Sequence, residues 1–500
     1  MMLINLSLDK ILDLLKYNQN DPLIFSTILF LFFFFIVLIF YNLFSKNKNI
    51  RVFLLIIFSL YFYYKVVGFY FIILIVSAVI NFYLTKWMST YENFTKRRWV
   101  LILIIVLNLA ILAYFKYTNF ILQIINDVAN KNIEPLAIFL PIGISFYTFK
   151  ALNYVFDVYL DTLKPAKNLS DFCVFLFFFP NLLAGPIDRA SEFLPQIDKE
   201  PFISKEDLGK AIFLISAGLL KKVVIADYIS LNYVDRIFDF PIRYTGLENL
   251  IAVYGYALQI YCDFSGYSDM AIGIAILLGF KLMDNFNSPF KATSIADFWR
   301  RWHISLSKWL LDYLFRPIQF KFRNLHLYGN MIALFITFLL CGLWHGAGWN
   351  FILWGALHGF FMSFALLIQK PKNAFYTKLR IKNTRFLKFF QVIITFHLVA
   401  FSFLVFRANN ISLVGQVISQ IFTFFHGEII TQFIEKLPLI FTLILVGYLF
   451  HFIPLSLENK IKKLIAVTPW FGKALILAVV IWIAAQFKSA DIQPFIYFQF

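Results

Sequence analysis

Long, uninterrupted apolar stretches run through most of the chain and predict membrane-spanning helices. Residues 23–44 form the first run that is long enough to cross a hydrocarbon core of about 30 Å. Further apolar runs occupy residues 52–64, 66–85, 99–115, 136–160, 171–185, 208–230, 247–280, 329–345, 348–369, 386–406, 411–425, 437–454 and 472–487. The pattern predicts an all-α, polytopic integral membrane protein with about ten to twelve crossings.

Two segments depart from this simple pattern of spans. The stretch around Phe178, Pro180, Asn181 and Gly185 is apolar but broken, which predicts a re-entrant segment surrounded by protein. Residues 1–22 are amphipathic and lack the features of a signal peptide, so we expect the first apolar run to remain as an anchor. No repeat, linker or low-complexity tract divides the sequence. We therefore expect one membrane domain over residues 1–500.

Composition and charge agree with a membrane protein. Hydrophobic residues make up 60% of the chain and charged residues 15%, against about 25% charged in an ordinary globular domain. The net charge of +17, from 45 Lys+Arg and 28 Asp+Glu, indicates basic cytoplasmic loops near anionic lipid rather than nucleic-acid binding. Cys173, Cys262 and Cys341 show neither disulfide nor metal-site spacing, and we expect no metal.

The basic clusters also predict orientation. Lys46, Lys48 and Arg51 follow the first apolar run, and Lys86 and the basic stretch 96–98 follow the third. Positive residues favour the cytoplasmic side, so we expect the N-terminus in the periplasm.

Polar residues interrupt the apolar pattern three times between residues 260 and 360. Intramembrane ionisable groups are costly, so such positions are the strongest functional signal in a membrane protein. The interruptions are Asp263–Asp269 with two carboxylates, Asp297–Trp309 with three tryptophans, three cations and a histidine, and Cys341–Asn350 with His345 among glycines. Their closeness along the chain predicts one buried site.

These motifs resemble those of the membrane-bound O-acyltransferase family, and within it the subfamily of alginate O-acetyltransferase membrane subunits. The chain is also similar to peptidoglycan O-acetyltransferase membrane subunits. The resemblance is carried by Pro141–Phe149, Leu183–Ile187, Asp263–Asp269, Phe298–Ser307, Leu343–Asn350, Trp354–Gly359 and the tail Phe495–Phe500.

The resemblance implies a helical funnel with a catalytic core at residues 136–406 and a catalytic histidine at the membrane midplane. It implies acetyl-CoA as a donor substrate from the cytoplasm, no bound cofactor, and a glycan acceptor such as peptidoglycan or an alginate-like exopolysaccharide. It also implies a periplasmic, esterase-like acetyltransferase as partner and a location in the bacterial inner membrane.

His345 is the candidate general base. Acyl transfer to a hydroxyl needs a base that removes the alcohol proton, and histidine has an unperturbed pKa of about 6.5. We expect Gly342, Gly346 and Gly348 to leave the backbone uncovered for a substrate chain. The alternative is a core histidine that bonds to a neighbouring helix, and the resemblance favours catalysis.

His303 is the candidate assisting residue. If 297–311 is helical, Arg300, His303 and Ser307 share one face, and the neighbouring cations would keep the imidazole neutral. The family resemblance implies an assisting role at this position. The alternative is an interfacial helix whose tryptophans and arginines lie at headgroup level.

The remaining polar residues have weaker interpretations. One basic stretch consists of Arg300, Arg301, Lys308, Arg316, Lys321 and Arg323. It is either a rim that binds the phosphates of coenzyme A or ordinary positive-inside charge. We expect Asp263 and Asp269 to be structural and to pair with Arg300 or Arg301. Three further residues either line the cavity or form hydrogen bonds between helices: Ser145, Tyr147 and Asn181. His358 is expected to pack its helix, and the histidines without a functional context are His326, His397, His426 and His451.

The leading hypothesis is a membrane O-acetyltransferase that moves acetyl from cytoplasmic acetyl-CoA to a hydroxyl of a cell-surface glycan. The alternative is a transporter or flippase whose path is lined by Asp263, Asp269, His303 and His345. That alternative predicts inverted repeats, and the two halves of the sequence show no such symmetry.

Overall fold

A computed structural model describes residues 13–382, 384–487 and 495–496. Every regular element within those ranges is helical, which confirms the all-α prediction. The predicted amphipathic segment 1–22 lies partly outside the described residues, as does the tail pattern after Ile496.

The chain divides into two compact units. The first takes in residues 13–204 and Ala271–Leu282, and the second takes in Lys205–Met270, the described part of 283–487 and residues 495–496. The helices of the first unit are α1 (Ile28–Leu43), α2 (Lys48–Val67), α3 (Phe71–Met88), α4 (Phe94–Ala129), α5 (Ile144–Tyr159), α6 (Leu169–Phe177), α7 (Phe179–Leu182) and α8 (Ala190–Ile197).

Local sequence explains where several of these helices begin. The side chains of Thr27, Asn47 and Asn93 accept hydrogen bonds from backbone N–H groups in the first turns of α1, α2 and α4. These are favourable N-cap residues because their oxygens satisfy donors that have no partner inside the helix. Gly143 precedes α5 at a φ of 85°, a conformation that L side chains rarely adopt.

The predicted break in the apolar stretch 171–185 agrees with the structure. The stretch forms two short helices, α6 and α7, separated at Phe178. Phe179 packs in an aromatic core of this unit against Phe30, Phe58 and Phe62, with ring centroids 4.8–6.2 Å apart. The break is thus enclosed by protein, as irregular backbone in a membrane requires.

The second unit holds the three polar motifs. Its helices are α9 (Lys205–Leu219), α10 (Asp235–Asp239), α11 (Gly246–Leu277, which enters the first unit at Ala271), α12 (Ile295–Trp299), α13 (Ile304–Leu310), α14 (Arg316–Lys321), α15 (His326–His345), α16 (Trp349–Leu367), α17 (Gln369–Lys378), α18 (Arg385–Arg407), α19 (Ile411–Thr423), α20 (Ile430–Lys436), α21 (Pro438–His451), α22 (Leu455–Val467) and α23 (Trp470–Phe487). Two π-helical stretches, Leu220–Asp227 and Ser230–Val234, follow α9.

Six helical stretches in the described chain are long and apolar enough to cross a membrane: Lys48–Met88, Phe94–Ala129, Arg323–His345, Trp349–Leu367, Arg385–Arg407 and Trp470–Phe487. Two further pairs, α19 with the segment Gly427–Lys436 and α21 with α22, are bent by 93° and 92° and raise the count to eight if each is one span. This number is below the ten to twelve crossings expected, because α2 and α3 are counted together as one stretch and some apolar runs form helices that are too short, such as the 16 residues of α1. The chain is a multi-pass membrane protein.

The condition under which Arg300, His303 and Ser307 would share one face, a continuous helix over 297–311, is not met. α12 ends at Trp299 and α13 begins at Ile304, with His303 between them at a φ of 42°. A residue in this left-handed conformation interrupts helical periodicity. Arg300, His303 and Ser307 therefore do not share one helical face.

Candidate active site

His345 is the last residue of α15 and lies at the turn into α16. Its side chain is buried, and the backbone becomes extended at Gly346. The imidazole packs among three aromatic rings, with centroids 4.8 Å from Trp344, 5.0 Å from Trp354 and 5.4 Å from Phe406. The predicted base is thus buried among aromatic side chains.

His303 is completely buried and is held by Asn285. Its Nδ1 lies 3.2 Å from Asn285 Oδ1, and the same oxygen accepts from the backbone N–H and the hydroxyl of Ser305. The Ser305 N–H can only donate, so the Asn285 atom that faces it must be oxygen. His303 Nδ1 therefore carries the proton, and Nε2 is the acceptor nitrogen of a neutral ring.

The neutral state of His303 was expected, but its cause is different from the expected one. Burial lowers the pKa of His303 to about 3, because the charged ring loses hydration. The neighbouring arginines are directed elsewhere: Arg300 and Arg301 pair with Asp297 at 3.5 and 3.1 Å. Arg300 keeps 71% of its side chain exposed.

Trp344 connects the two candidate histidines. Its ring lies 4.8 Å from His345 and 6.4 Å from His303, measured between centroids. The structure therefore brings both predicted residues to one region of the second unit. We call this region the histidine–aromatic cluster; it consists of His303, His345, His358, Trp299, Trp344 and Trp354.

His358 supports this cluster through two hydrogen bonds. Trp299 Nε1 donates to His358 Nδ1 at 3.2 Å, so His358 Nε2 carries the proton and donates to Ser402 Oγ at 3.0 Å. The Ser402 hydroxyl donates onward to Val399 O at 2.7 Å. This chain joins α12, α16 and α18, and it fits the expected packing role of His358.

The glycines near His345 have a different role from the one predicted. A Cβ on Gly342 would overlap the carbonyl oxygen of Phe351, and one on Gly346 would overlap the Phe351 ring. A Cβ on Gly355 would lie 2.5 Å from Phe338 O. Gly342 and Gly346 therefore let α15 and α16 pack closely, and the prediction that they expose backbone to substrate is wrong.

The expected pairing of Asp263 and Asp269 with arginines is also wrong. Lys222 Nζ lies 2.8 Å from Asp263 and 2.7 Å from Asp227, and Lys221 Nζ lies 2.7 Å from Asp269. The π-helical stretch after α9 brings both lysines against α11, while the arginines have a nearer partner in Asp297. We call these five residues the lysine–aspartate cluster: Lys221, Lys222, Asp227, Asp263 and Asp269.

Asp263 also binds the C-terminal segment. Its Oδ2 accepts the backbone N–H of Ile496 at 2.8 Å. Phe495 packs against Phe264 and Tyr267 with ring centroids 5.5 and 5.0 Å apart, and Phe264 in turn lies 4.6 Å from His303. The segment thus packs against the aromatic side chain that contacts His303.

The three candidates in the first unit are Ser145 and Tyr147 on α5 and Asn181 on α7. The amide of Asn181 accepts from Lys150 Nζ at 2.8 Å and donates to Asp188 at 2.6 Å. The Tyr147 ring is buried and lies 6.5 Å from Tyr63. Ser145 is half-buried near the start of α5. Asn181 therefore bonds between segments of this unit, which was one of its two predicted roles.

Lys308 is exposed on α13, so it lies on the surface with Arg300. Within the described ranges, no group of three or more His, Cys, Asp or Glu is arranged to hold a metal ion.

Sequence reasoning missed six structural residues: Lys150, Asp188, Lys221, Lys222, Asp227 and Asn285. The lysine pair had a visible signal, because two adjacent cations stand inside the apolar segment 208–230. Asn285 had none, since its bonds depend on tertiary contacts.

The chain is similar to known acyltransferases. The sequence profile of the membrane-bound O-acyltransferase family matches residues 164–407. A peptidoglycan O-acetyltransferase of Helicobacter pylori is 36% identical over 370 residues, which cover 68% of this chain and 68% of that protein. The probable alginate O-acetylase AlgI of Pseudomonas aeruginosa is 39% identical over 334 residues, 66% of this chain and 61% of that protein.

A teichoic acid D-alanyltransferase of Bacillus subtilis is 31% identical over 277 residues, which cover 54% of this chain and 69% of that protein. The names of these relatives refer to three different polymers, peptidoglycan, alginate and teichoic acid. The chain belongs to the membrane-bound O-acyltransferase family, and it is an acyltransferase.

Proposed function

We propose that this protein is an O-acetyltransferase of the bacterial inner membrane. It takes acetyl from cytoplasmic acetyl-CoA and delivers it to a hydroxyl on the periplasmic side, for O-acetylation of a cell-surface glycan. The observation that carries this proposal is the position of His345, a buried base at the end of a candidate membrane span within the family's matched region.

His345 acts as the general base. It removes the proton of the acceptor hydroxyl, whose oxygen then attacks the thioester carbonyl carbon. The carbon–sulfur bond breaks, and coenzyme A leaves as a thiolate that takes up a proton. The product is an ester on the acceptor.

His303 orients the acceptor hydroxyl. Its Nδ1–H is committed to Asn285, so Nε2 can accept a hydrogen bond but cannot donate one to a carbonyl oxygen while the ring is neutral. This geometry favours contact with the hydroxyl over polarisation of the thioester.

The acceptor is peptidoglycan or an alginate-like exopolysaccharide. The names of the relatives from H. pylori and P. aeruginosa support these two polymers. The family resemblance further supports a periplasmic, esterase-like acetyltransferase as partner, and the basic clusters after the first and third apolar runs support a periplasmic N-terminus.

The experiment that tests this function measures O-acetyl groups on purified peptidoglycan and exopolysaccharide from cells that express each variant at matched membrane levels. We expect His345→Ala to abolish acetylation of one polymer and His303→Ala to reduce it. His426→Ala is the control, because His426 is exposed and pairs with Glu428 at 2.8 Å. Normal acetylation with His345→Ala would refute the proposal.

A further inference from the structure

A basic pocket lies at the start of α15, at the opposite end of the helix from His345. It is an open surface depression of about 780 Å³ that is lined by Arg316, Gln319, Phe320, Arg323, His326, Leu327 and Asn330. The pocket lining extends along α15 as far as Asn330, so about 22 Å of helix separates it from His345. The pocket is therefore distinct from the candidate active site.

The pocket is suited to an anion. Arg316 pairs with Asp312 at 2.7 Å but keeps 65% of its side chain exposed. Arg323 is exposed and its guanidinium lies 4.2 Å from the Phe320 ring centroid. The first turn of α15 adds backbone N–H groups and the positive end of the helix dipole. No described lining residue is acidic.

The pocket also lies where lipid headgroups are found. It includes the beginning of the candidate span Arg323–His345, and the ends of a span meet the headgroup region. Only 39% of the apolar stretch of this span is buried within the protein, so much of the span faces lipid. Phe320 and Leu327, which line the pocket, are exposed apolar side chains, and so are Leu325 and Tyr328 beside them in the sequence.

Two phosphate-bearing ligands have suitable chemistry, the acyl donor and an anionic phospholipid. A phospholipid needs a phosphate site at headgroup level and apolar side chains for its acyl chains, and this pocket offers both.

We propose that the pocket binds the headgroup phosphate of an anionic phospholipid. Arg316 and Arg323 hold the phosphate oxygens, because guanidinium groups form strong, directed hydrogen bonds to phosphate. His326, which the sequence left without a functional context, lies beside them.

The test uses the full chain in nanodiscs that contain equal amounts of phosphatidylcholine and phosphatidylglycerol. Native mass spectrometry measures how many lipids of each kind stay bound. We expect wild type to retain phosphatidylglycerol preferentially. Arg316→Gln with Arg323→Gln should lower this preference about twenty-fivefold, since each basic side chain near a membrane contributes about fivefold. The matched control is Lys370→Gln with Lys378→Gln, which removes two exposed charges elsewhere.

The proposal fails if the arginine pair and the control pair change phosphatidylglycerol retention equally, because surface charge alone then explains it. Coenzyme A is the second probe, added to nanodiscs of phosphatidylcholine. If the arginine variant loses coenzyme A binding while phosphatidylglycerol retention is unchanged, the pocket serves the donor and the lipid proposal is wrong. Neither measurement depends on acetyl transfer, so a failure here leaves the proposed function untouched.

Discussion

The lysine–aspartate cluster and the histidine–aromatic cluster bury polar groups in opposite ways. In the first, each carboxylate lies within 2.8 Å of a lysine nitrogen. In the second, His303 and His358 bond to amide, hydroxyl and indole groups. A buried charge without a counterion costs several kcal/mol, whereas a neutral imidazole needs only hydrogen-bond partners.

This difference separates a cluster with a structural role from the cluster that holds the proposed catalytic residues. Buried ionisable residues in a membrane protein are candidates for function by default, and both clusters meet that description. The carboxylates of the first cluster are committed to lysines and to the backbone of Ile496. The proposed general base belongs to the second cluster, where a proton can be gained and lost without breaking an ion pair.

The largest expected effect on stability comes from the lysine–aspartate cluster. Asp263→Ala leaves Lys222 with one carboxylate and removes the acceptor for the Ile496 N–H. We expect the free energy of unfolding to fall by about 3–5 kcal/mol, measured by SDS titration of the purified protein in detergent. A triple variant, Lys222→Met with Asp227→Leu and Asp263→Leu, should recover most of this loss, since no buried charge then lacks a partner. No recovery would mean that the charges themselves are required.

The packing beneath the histidine–aromatic cluster should give the next effect. Gly355→Ala places a methyl group against the Phe338 carbonyl oxygen and pushes α15 and α16 apart. We expect a loss of about 1–3 kcal/mol, as for other overpacked positions. Gly415→Ala is the control, because a Cβ there meets nothing within 4 Å. Equal unfolding curves for the two variants would contradict the close-packing role.

A smaller effect is expected at His358. His358→Phe keeps the ring but removes both hydrogen bonds, so the Trp299 N–H loses its acceptor. Hydrogen bonds between membrane helices contribute about 0.6–2 kcal/mol, and we expect a loss of this size by the same SDS titration.

Because His358 positions the cluster, kcat should fall more than KM changes. His358→Gln, which can both accept and donate, should restore part of kcat; a loss of stability with unchanged kcat would exclude a positioning role.

The smallest effect is expected at the rim of the cluster. Arg300 is mostly exposed and lies 3.5 Å from Asp297, and an exposed ion pair contributes about 0–1 kcal/mol. Arg300→Ala should shift the unfolding free energy by less than about 1 kcal/mol. A larger loss would show that the arginine supports the turn before His303.

The sequence predicted the elements better than their contacts. Apolar periodicity indicated the helices and the break near Phe178, because both follow from local composition. It did not reveal the interruption at His303, where the left-handed backbone is imposed by packing rather than by a glycine or proline signal. Nor could it pair Asp263 with Ile496, which is 233 residues away in the sequence.

The histidine motifs were also recognisable from local composition. Tryptophan, glycine and histidine are unusual together in a membrane segment, so Leu343–Asn350 stands out against its apolar surroundings. The partners of the aspartates were mispredicted because spacing along the chain does not show which helices meet. Gly218 and Gly266 illustrate this point: a Cβ on either would lie 2.6–2.8 Å from the carbonyl oxygen of the other, so they bring α9 and α11 together beside the lysines.

The most direct test of the account is coenzyme A release by purified protein in vesicles that enclose the acceptor polymer, with acetyl-CoA outside. Wild type, His345→Gln, His303→Gln and the control His426→Gln are compared at equal protein. We predict that His345→Gln slows release about 10²–10⁴-fold, as for loss of a general base, while His426→Gln matches wild type. Release at the wild-type rate by His345→Gln would contradict acyl transfer through His345. Solute flux without thioester cleavage would favour a transporter.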